Sequence, residues 1–214
     1  DLVTAGPTRE PLDPVRFISN RSTGKQGYAI AAEAASRGAH VTLVSGPTAL
    51  DTPAGVTRVS VGSAREMHDA ATRAFEDADI AILSAAVADY EAEEIAEQKI
   101  KKGDGPLTLT LRRTADVAAD LGANKGTRTI VAFAAETQDA LANARAKLVR
   151  KNADMIVVND VTEPGAGFGT DTNIVTILAD DGESEALPLL SKREVAARIL
   201  DAVQRRRSKT EGRP

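Results

Sequence analysis

Short, nearly uninterrupted apolar runs recur along the chain and alternate with longer amphipathic stretches. Such runs are typical of strands that are buried on both faces of a parallel sheet. The pattern predicts strands at residues 2–4, 41–44, 58–61, 80–83, 129–133 and 155–158. Because the chain opens within the first of these strands, without an initiator Met, we expect it to be an excised piece of a longer protein.

The amphipathic stretches between these strands supply the crossover connections that parallel strands need. They predict helices over roughly residues 24–37, 63–78 and 138–151. Ser63 followed by Glu66, and Ser191 followed by Glu194, have the spacing of capping boxes, which places the starts of the second crossover helix and the last helix. The alternation indicates an α/β protein with a Rossmann-like three-layer fold and a mainly parallel sheet.

Two segments depart from this alternation. Residues 107–111 alternate strictly between leucine and threonine, and residues 174–178 run into Ala179-Asp180-Asp181-Gly182, a hairpin-type turn signal. We interpret both as antiparallel strands of a small sheet appended to the parallel one. Because small hairpins cannot easily bury themselves, we predict a homodimer formed through these two strands.

Composition narrows the classes of function. The chain has 214 residues, 42% hydrophobic and 27% charged, which is typical of one globular domain or at most two. With no cysteine and only His40 and His68, thiolate chemistry is excluded, and Ser-His-Asp hydrolysis and multi-histidine metal centres are disfavoured. A formal net charge of -4 provides no global basic field, so we expect local anion binding and no nucleic-acid partner.

The sequence also bears on where the protein acts. No apolar run reaches membrane-spanning length, and the N-terminus has no basic or signal-like segment. We therefore expect a cytoplasmic protein with no membrane association.

The connection after the first strand is a candidate phosphate site. The strand ends near Gly6, and a loop then carries Asn20, Ser22 and Gly24 into a helix beginning near Tyr28. Small residues let backbone amides approach an anion, and a helix N-terminus supplies N–H donors and a favourable dipole. The loop is neither a Walker A loop nor a G-x-G-x-x-G fingerprint. A turn that only permits close strand-to-helix packing is the alternative.

Further candidates follow the later strands. Ser84 and Ala85 lie at the carboxyl end of the 80–83 strand, where open α/β sheets bind flat ligands, although packing beneath a helix also explains small residues. Lys99 begins a lysine cluster that is either a phosphate contact or a solvated loop. Lys147 and Lys151 project from one helix face, which is either a phosphate site or a solvated face. Together these features indicate a site for a highly anionic nucleotide such as a triphosphate.

Taken in order, these segments resemble bacterial phosphopantothenate-cysteine ligase. The resemblance rests on residues 4–20, 84–90, 99–102, 133–137 and 151–154, and it spans nearly the whole chain. It implies that CTP and Mg²⁺ convert 4'-phosphopantothenate to 4'-phosphopantothenoyl-CMP and pyrophosphate, and that cysteine then displaces CMP in coenzyme A biosynthesis. It also implies a fused upstream decarboxylase domain that uses FMN. We assign residues 1–207 to the ligase domain and 208–214 to a disordered tail.

The resemblance also implies roles for individual residues. Asn20 would handle the acyl-cytidylate, and Lys99 would stabilise the triphosphate during attack. The nucleotide contacts would be Leu83, Ser84, Ala85, Asp89, Lys99, Ala115, Asp116, Val117, Ala118, Phe133, Lys147 and Lys151. The substrate and phosphate loop would comprise Gly6, Asn20, Ser22 and Gly24. Metal ligands are not fixed, because a triphosphate itself can supply most of them.

Two other functions compete with this one. A short-chain NAD(P)-dependent reductase shares the Gly-rich helix start, but it needs a Tyr-x-x-x-Lys pair. Tyr28 is followed four residues later by Ala32, and Tyr90 by Glu94, so neither tyrosine provides that pair. A non-catalytic nucleotide-binding module is the second alternative. Pyrophosphate release that depends on phosphopantothenate would identify a ligase and exclude such a module.

Overall fold

A computed structural model describes residues 1–136, 139–160 and 165–211 of the chain. Its helices are α1 (Lys25–Ser36), α2 (Ala64–Phe75), α3 (Val117–Ala123), α4 (Ala140–Arg150) and α5 (Lys192–Glu211). Its strands are β1 (Leu2–Ala5), β2 (Glu10–Pro11), β3 (Phe17–Ile18), β4 (Val41–Ser45), β5 (Val56–Ser60), β6 (Ile80–Leu83), β7 (Tyr90–Ala92), β8 (Leu111–Arg113), β9 (Thr129–Glu136), β10 (Met155–Asp160), β11 (Thr172–Asn173), β12 (Val175–Ala179), β13 (Ser184–Ala186) and β14 (Leu190–Ser191).

Eight of these strands form the main sheet, in the order β13-β12-β10-β9-β6-β1-β4-β5. Every neighbouring pair from β5 to β10 is parallel, while β12 and β13 add an antiparallel edge. The chain builds outward from β1 through β4 and β5, then returns to β6 and builds the other way. Strand order therefore reverses between β1 and β6, which is where open α/β sheets bind ligands. The predicted fold class is confirmed.

Helices cover both faces of the sheet. Side chains from α2, α3 and α4, including Met67, form one core against it, and side chains from α1 and α5, including Ile30, form the other. Successive strand residues point to opposite faces. Thus Ile156 belongs to the first core and its neighbour Val157 to the second. This burial on both faces explains why the strands are continuous apolar runs rather than alternating ones.

The predicted helix starts are confirmed in detail. Ser63 Oγ accepts a hydrogen bond from Glu66 N at 3.2 Å, and the Glu66 carboxylate accepts one from Ser63 N, also at 3.2 Å. The Ser191 and Glu194 pair makes the same two bonds at the start of α5. The third crossover helix begins at Ala140; Gln138, where its start was predicted, lies outside the described residues.

The small appended sheet was predicted from two segments that the structure separates. Residues 174–178 fall in β12, which pairs antiparallel with β10 within the main sheet because Val175 and Ile177 pack into the α1/α5 core. The turn signal is confirmed, since Gly182, with φ of 90°, lies in the β12–β13 connection. Within 107–111 only Leu111 lies in a strand, and its partner strand is β7. The joint sheet was therefore a wrong prediction.

Helix α5 continues to Glu211, where the sequence suggested a disordered tail from residue 208. Basic side chains tie the helix to the β12–β13 hairpin: Arg206 Nε lies 2.8 Å from Asp180 Oδ1, and Arg205 lies 2.9 Å from Glu185 Oε2. Residues 208–211 are thus helical, and 212–214 lie outside the described residues. Among the described helices, none has the length and apolar character needed to cross a membrane.

Candidate functional site

A cavity of about 740 Å³ opens at the carboxyl ends of β1, β6, β9 and β10, where the strand order reverses. Its size is within the range of ligand pockets. The predicted site residues that line it are Ser22, Gly24, Leu83, Ser84, Ala85, Asp89, Ala115, Asp116, Val117, Ala118, Phe133, Lys147 and Lys151. The structure therefore brings most of the predicted residues to one space.

The segment after β6 forms a fixed wall of this cavity. Ala85 N donates to Thr4 Oγ1 at 3.2 Å, and Ala88 N donates to Thr8 Oγ1 at 2.9 Å. These bonds hold the 84–88 backbone against the end of β1. Because the side chains along this wall are small, the space beside it stays open to a flat ligand.

Gly6 and Asn20 bind the backbone of this wall and are not among the described residues that line the cavity. Asn20 Nδ2 donates to Ala86 O at 2.6 Å, and Ala86 N donates to Gly6 O at 2.9 Å. Gly6 has φ of 79°, and a Cβ there would lie 3.1 Å from Gly46 O. Only glycine fits that conformation without strain. Both residues thus fix the backbone that a ligand would meet.

The N-terminus of α1 forms a second wall. Ser22 and Gly24 precede the helix and line the cavity together with its first residue, Lys25. A Cβ at Gly27 would lie 2.5 Å from the Cβ of Ala5, so the glycine allows α1 to approach β1 this closely. The first N–H groups of a helix have no internal acceptors and favour an anion.

The opposite wall is cationic. Lys147 and Lys151 reach the cavity from α4 and the residue that follows it, so the predicted shared face is confirmed. Lys151 Nζ lies 3.2 Å from Asp116 Oδ1, and the same carboxylate caps α3 by accepting from Ala119 N at 3.1 Å. Burial alone would raise the pKa of Asp116, but the charge of Lys151 and the Ala119 bond outweigh it and lower that pKa.

Lys99 is exposed and lies away from the cavity lining. The next residue is anchored, since Ile100 N donates to Asp13 Oδ2 at 3.0 Å and the Arg16 guanidinium donates to Ile100 O. Burial of Asp13 would raise its pKa, but hydrogen bonds from the backbone N–H groups of Val15, Ile100 and Arg16 lower the pKa to about 2. A buried, ionised carboxylate thus fixes the lysine-rich segment to the 12–16 turn.

Several polar residues on the α1/α5 side of the cavity were not found from the sequence. Lys192 at the start of α5 is one of them. Its Nζ donates to Gly167 O, Phe168 O and Thr170 O at 3.0, 3.3 and 2.5 Å, which ties the 167–170 segment to the helix. Burial and the nearby charge of Lys25 lower the pKa of Lys192 to about 8. No local motif indicated this lysine.

Three side-chain amides, those of Gln26, Asn173 and Asn159, also line the cavity. Gln26 Nε2 donates to Lys192 O at 3.0 Å, and Asn173 Nδ2 donates to Gln26 Oε1 at 3.3 Å. Asn159, at the end of β10, is buried and lines the cavity. Its Oδ1 has no hydrogen-bond partner among the described residues.

Few acidic side chains belong to the part of the cavity lining that the structure describes. Among the side chains that the structure describes, no group of three or more His, Asp or Glu residues is placed to hold a metal ion. The carboxylates of the described cavity lining are those of Asp89 and Asp116.

The fold and the cavity define an α/β domain whose candidate site, lined by lysines and a helix N-terminus, lies at a reversal of strand order. A family model for the DNA/pantothenate metabolism flavoprotein C-terminal domain matches residues 2–206, and the chain belongs to this family. The resemblance drawn from the sequence is thereby confirmed at the level of the family.

Individual relatives agree with this assignment. The chain is 50% identical over 203 residues to the Coenzyme A biosynthesis bifunctional protein CoaBC of Bacillus subtilis, covering 94% of this chain and 50% of that protein. It is 51% identical over 214 residues to the CoaBC of Mycobacterium tuberculosis, covering 94% and 51%. The chain therefore spans about half the length of these curated relatives. A crystal structure of the C-terminal domain of a CoaBC protein superposes with a TM-score of 0.83 at 43% identity, covering 99% of this chain and 95% of that one.

Proposed function

We propose that this domain joins 4'-phosphopantothenate to L-cysteine at the expense of CTP, by way of 4'-phosphopantothenoyl-CMP. The observation that supports the proposal is that one cavity is lined both by the start of α1 and by the Lys147/Lys151 pair, two features suited to anions. A reaction between a phosphorylated acid and a nucleoside triphosphate needs two such walls facing one space. The similarity to CoaBC proteins supports a place in coenzyme A biosynthesis.

The chemistry explains why both walls are needed. A carboxylate oxygen attacks the α-phosphorus of CTP, and the bond to pyrophosphate breaks. The cysteine amine then attacks the acyl carbon, loses a proton, and displaces CMP to give 4'-phosphopantothenoylcysteine. Two anions must be held close together before the first step, so the protein must offset their repulsion with positioned cationic and amide donors.

The geometry suggests how the substrates divide the cavity. We place the triphosphate at Lys147 and Lys151, and the base against the wall formed by Ser84 and Ala85. The 4'-phosphate fits Ser22, Gly24 and the free N–H groups of α1. Asn20 holds Ala86 O, so its proposed part is to orient the wall that the acyl phosphate meets. The exposed Lys99 is proposed to reach the triphosphate when substrates are bound.

Mg²⁺ is expected to enter with CTP. This ion favours phosphate oxygens supplemented by one or two carboxylates. Asp89 and Asp116 on the cavity wall fit that role, and the bound ion would neutralise part of the triphosphate charge. FMN would serve only a decarboxylase domain in the other half of a full-length protein.

Pyrophosphate release tests the proposal. We expect release only when CTP and 4'-phosphopantothenate are both present, and CMP with the cysteine adduct only after cysteine is added. CTP should be used in strong preference to ATP, because a pocket that pairs with a pyrimidine edge leaves buried polar atoms unpaired with another base. Nucleotide binding without release would instead favour the non-catalytic module, and NAD(P)-dependent reduction would favour the reductase.

We also propose a homodimer. Of the two segments predicted to form it, 107–111 and 174–178, only the first is retained. Val175 and Ile177 are buried inside the main sheet and are not available to a second copy. Leu107, Leu109 and Leu111 are exposed, so the 107–111 segment retains this role.

A further inference from the structure

Helix α3 is short for an element that forms part of the cavity wall. It has seven residues, Val117–Ala123, and isolated helices of that length are unstable in water. Its first turn nevertheless lines the cavity, together with Asp116 before it and Lys151 at the end of α4. The position of this part of the wall therefore depends on the contacts that hold α3 against its neighbours.

The end of α4 contacts α3 at both of its ends. At the start of α3, Lys151 Nζ lies 3.2 Å from Asp116 Oδ1. In the last turn of α3, Gly122 O accepts a hydrogen bond from Asn152 Nδ2 at 2.9 Å. Carbonyl groups in a last helical turn lack the partner that a continuing helix would provide, so a donor from another element stabilises them. Two consecutive residues thus hold the two ends of one helix.

The contact at Gly122 is close. A Cβ on this buried glycine would lie 1.9 Å from Lys151 O and 2.9 Å from the carbonyl carbon of Lys151. The glycine therefore lets α3 pack directly on the peptide group of Lys151. Any shift of α3 along this contact also changes the position of Asp116 relative to the Lys151 ammonium group.

The backbone around Asn152 is fixed by bonds other than that of its side chain. Asn152 N donates to Val149 O and Ala153 N donates to Leu148 O, both at 3.1 Å, which is the bonding pattern of a Schellman motif. Asn152 has φ of 46° in this motif, a left-handed conformation that glycine adopts freely. Replacement of Asn152 by glycine therefore removes the amide group and leaves the helix end intact.

We propose that Asn152 is a positioning residue for the nucleotide, whose bond to Gly122 O holds α3 against the end of α4 and thereby sets Lys151 Nζ at the cavity. The inference rests on the proposed function, because that function assigns the nucleotide to Lys151. Asn152 is not among the described residues that line the cavity, so it acts through Lys151 and touches no ligand itself.

The test compares Asn152→Gly with wild type, using pyrophosphate release with each substrate varied in turn. We expect KM for CTP to rise about 3- to 10-fold, which is the effect of one hydrogen bond, with KM for 4'-phosphopantothenate and for cysteine within about twofold. An unchanged KM for CTP, or an equal rise for all three substrates, overturns the inference.

Asn124→Gly is the matched control. Asn124 is exposed at the end of α3, and its Nδ2 donates to Asp120 O at 3.0 Å within the same helix. Each variant loses one amide bond to an α3 carbonyl, so each should lower Tm by less than about 4 °C. Only Asn152→Gly should raise KM for CTP. Equal rises in the two variants would assign Asn152 to helix stability alone and contradict the proposed role.

A double-mutant cycle tests whether Asn152 acts through Lys151. Lys151→Met removes the ammonium group and keeps an unbranched side chain. In that background Asn152→Gly should change KM for CTP by less than about twofold, because no charge is left to position. An undiminished effect would mean that Asn152 does not act through Lys151, and the inference fails. Asn152→Asp, which has no N–H to donate, replaces the glycine variant if that variant does not fold.

Failure of the proposed function would be seen separately. If wild type releases no pyrophosphate with CTP and 4'-phosphopantothenate, the ligase proposal fails. Calorimetric titration of CTP alone into wild type, Asn152→Gly and Asn124→Gly then decides the present inference. Binding that weakens about 3-fold or more in Asn152→Gly alone supports it, and equal or absent binding overturns it.

Discussion

At the scale of single residues, we expect substitutions of Lys99 and Asn20 to affect different halves of the proposed reaction. If Lys99 stabilises the departing pyrophosphate, Lys99→Gln should slow acyl-cytidylate formation about 10²- to 10³-fold, with or without cysteine. Lys101→Gln is the matched control, because it removes the same charge from the same exposed segment. Rapid-quench analysis with CTP and 4'-phosphopantothenate measures this step. Normal pyrophosphate formation in Lys99→Gln would leave the lysine cluster as a solvated loop.

Asn20 acts on the second half in this proposal. Asn20→Ala removes the bond from Nδ2 to Ala86 O, so the wall that faces the acyl phosphate loses a fixed point. We expect cysteine transfer to slow more than activation does. The same rapid-quench experiment, with cysteine added to the accumulated intermediate, measures the ratio of the two effects. Equal losses in both steps would show that Asn20 holds the cavity wall in general rather than one intermediate.

Asp13 gives a residue-level prediction about pH. Its pKa of about 2 in the folded protein lies below the ordinary value of 3.8, so its ionised form stabilises the fold. That contribution is fully present above about pH 4 and is lost as the pH falls towards 2. Asp13→Asn should lower Tm at pH 7, and it should flatten the fall of Tm between pH 4 and pH 2. If the wild-type and variant curves stay parallel over that range, Asp13 is not the titrating group.

At the scale of elements, the close approach of α1 to β1 sets the position of the helix N-terminus at the cavity. In Gly27→Ala the new methyl group would lie 2.5 Å from the Ala5 Cβ and 3.0 Å from Thr4 O, so helix and strand must separate. We expect a loss of about 1–3 kcal/mol in the free energy of unfolding by denaturant. Because the N-terminus of α1 moves with the helix, KM for 4'-phosphopantothenate should also rise.

Gly103→Ala is the control for this substitution. A Cβ at Gly103 meets nothing within 4 Å, so the same chemical change there should alter stability by less than about 0.5 kcal/mol. An unchanged free energy of unfolding in Gly27→Ala would mean that α1 adjusts without cost, and would weaken the argument that the glycine sets the position of the phosphate wall.

The elements also show what a single sequence can and cannot predict. The hydrophobic pattern predicted the parallel strands, because a strand that is buried on both faces has a continuous run of apolar residues. It did not identify the sheet that 174–178 joins, since an antiparallel strand packed on β10 has the same pattern as a free hairpin. The alternation at 107–111 overestimated strand length, because the described ladder with β7 covers Leu111–Arg113 and only one further backbone hydrogen bond, from Glu93 N to Thr110 O at 3.0 Å, precedes it.

Some residues of the candidate site were likewise predicted from the sequence, and others were not. Lys147 and Lys151 were found because helical spacing is local, and Ser84 and Ala85 because they directly follow a strand. Asn159 and Lys192 were missed. The significance of these two residues comes from burial and from neighbours more than twenty residues away, such as the carbonyls that Lys192 binds, and no nearby residue pattern encodes it.

At the scale of the whole molecule, the described surface exposes several large apolar side chains. Leu107 and Leu109 are 58% and 39% exposed. Phe17 on the β2–β3 sheet, and Tyr90 and Leu111 on the β7–β8 sheet, are exposed as well. Two-stranded sheets of this size are marginal without further packing. A second copy of the chain would supply that packing and bury these leucines.

The dimer prediction follows from that surface. Introducing Asp at positions 107 and 109 together, as Leu107→Asp and Leu109→Asp, should convert a micromolar dimer to a monomer in sedimentation velocity, because two charges would have to be desolvated at the interface. Val149→Asp is the control, since Val149 is 80% exposed on α4 and lies outside the proposed contact. The wild-type chain must sediment as a dimer for the argument to hold. A stable wild-type monomer would show that the exposed leucines serve another contact, and a doubly substituted dimer would place the interface elsewhere on the molecule.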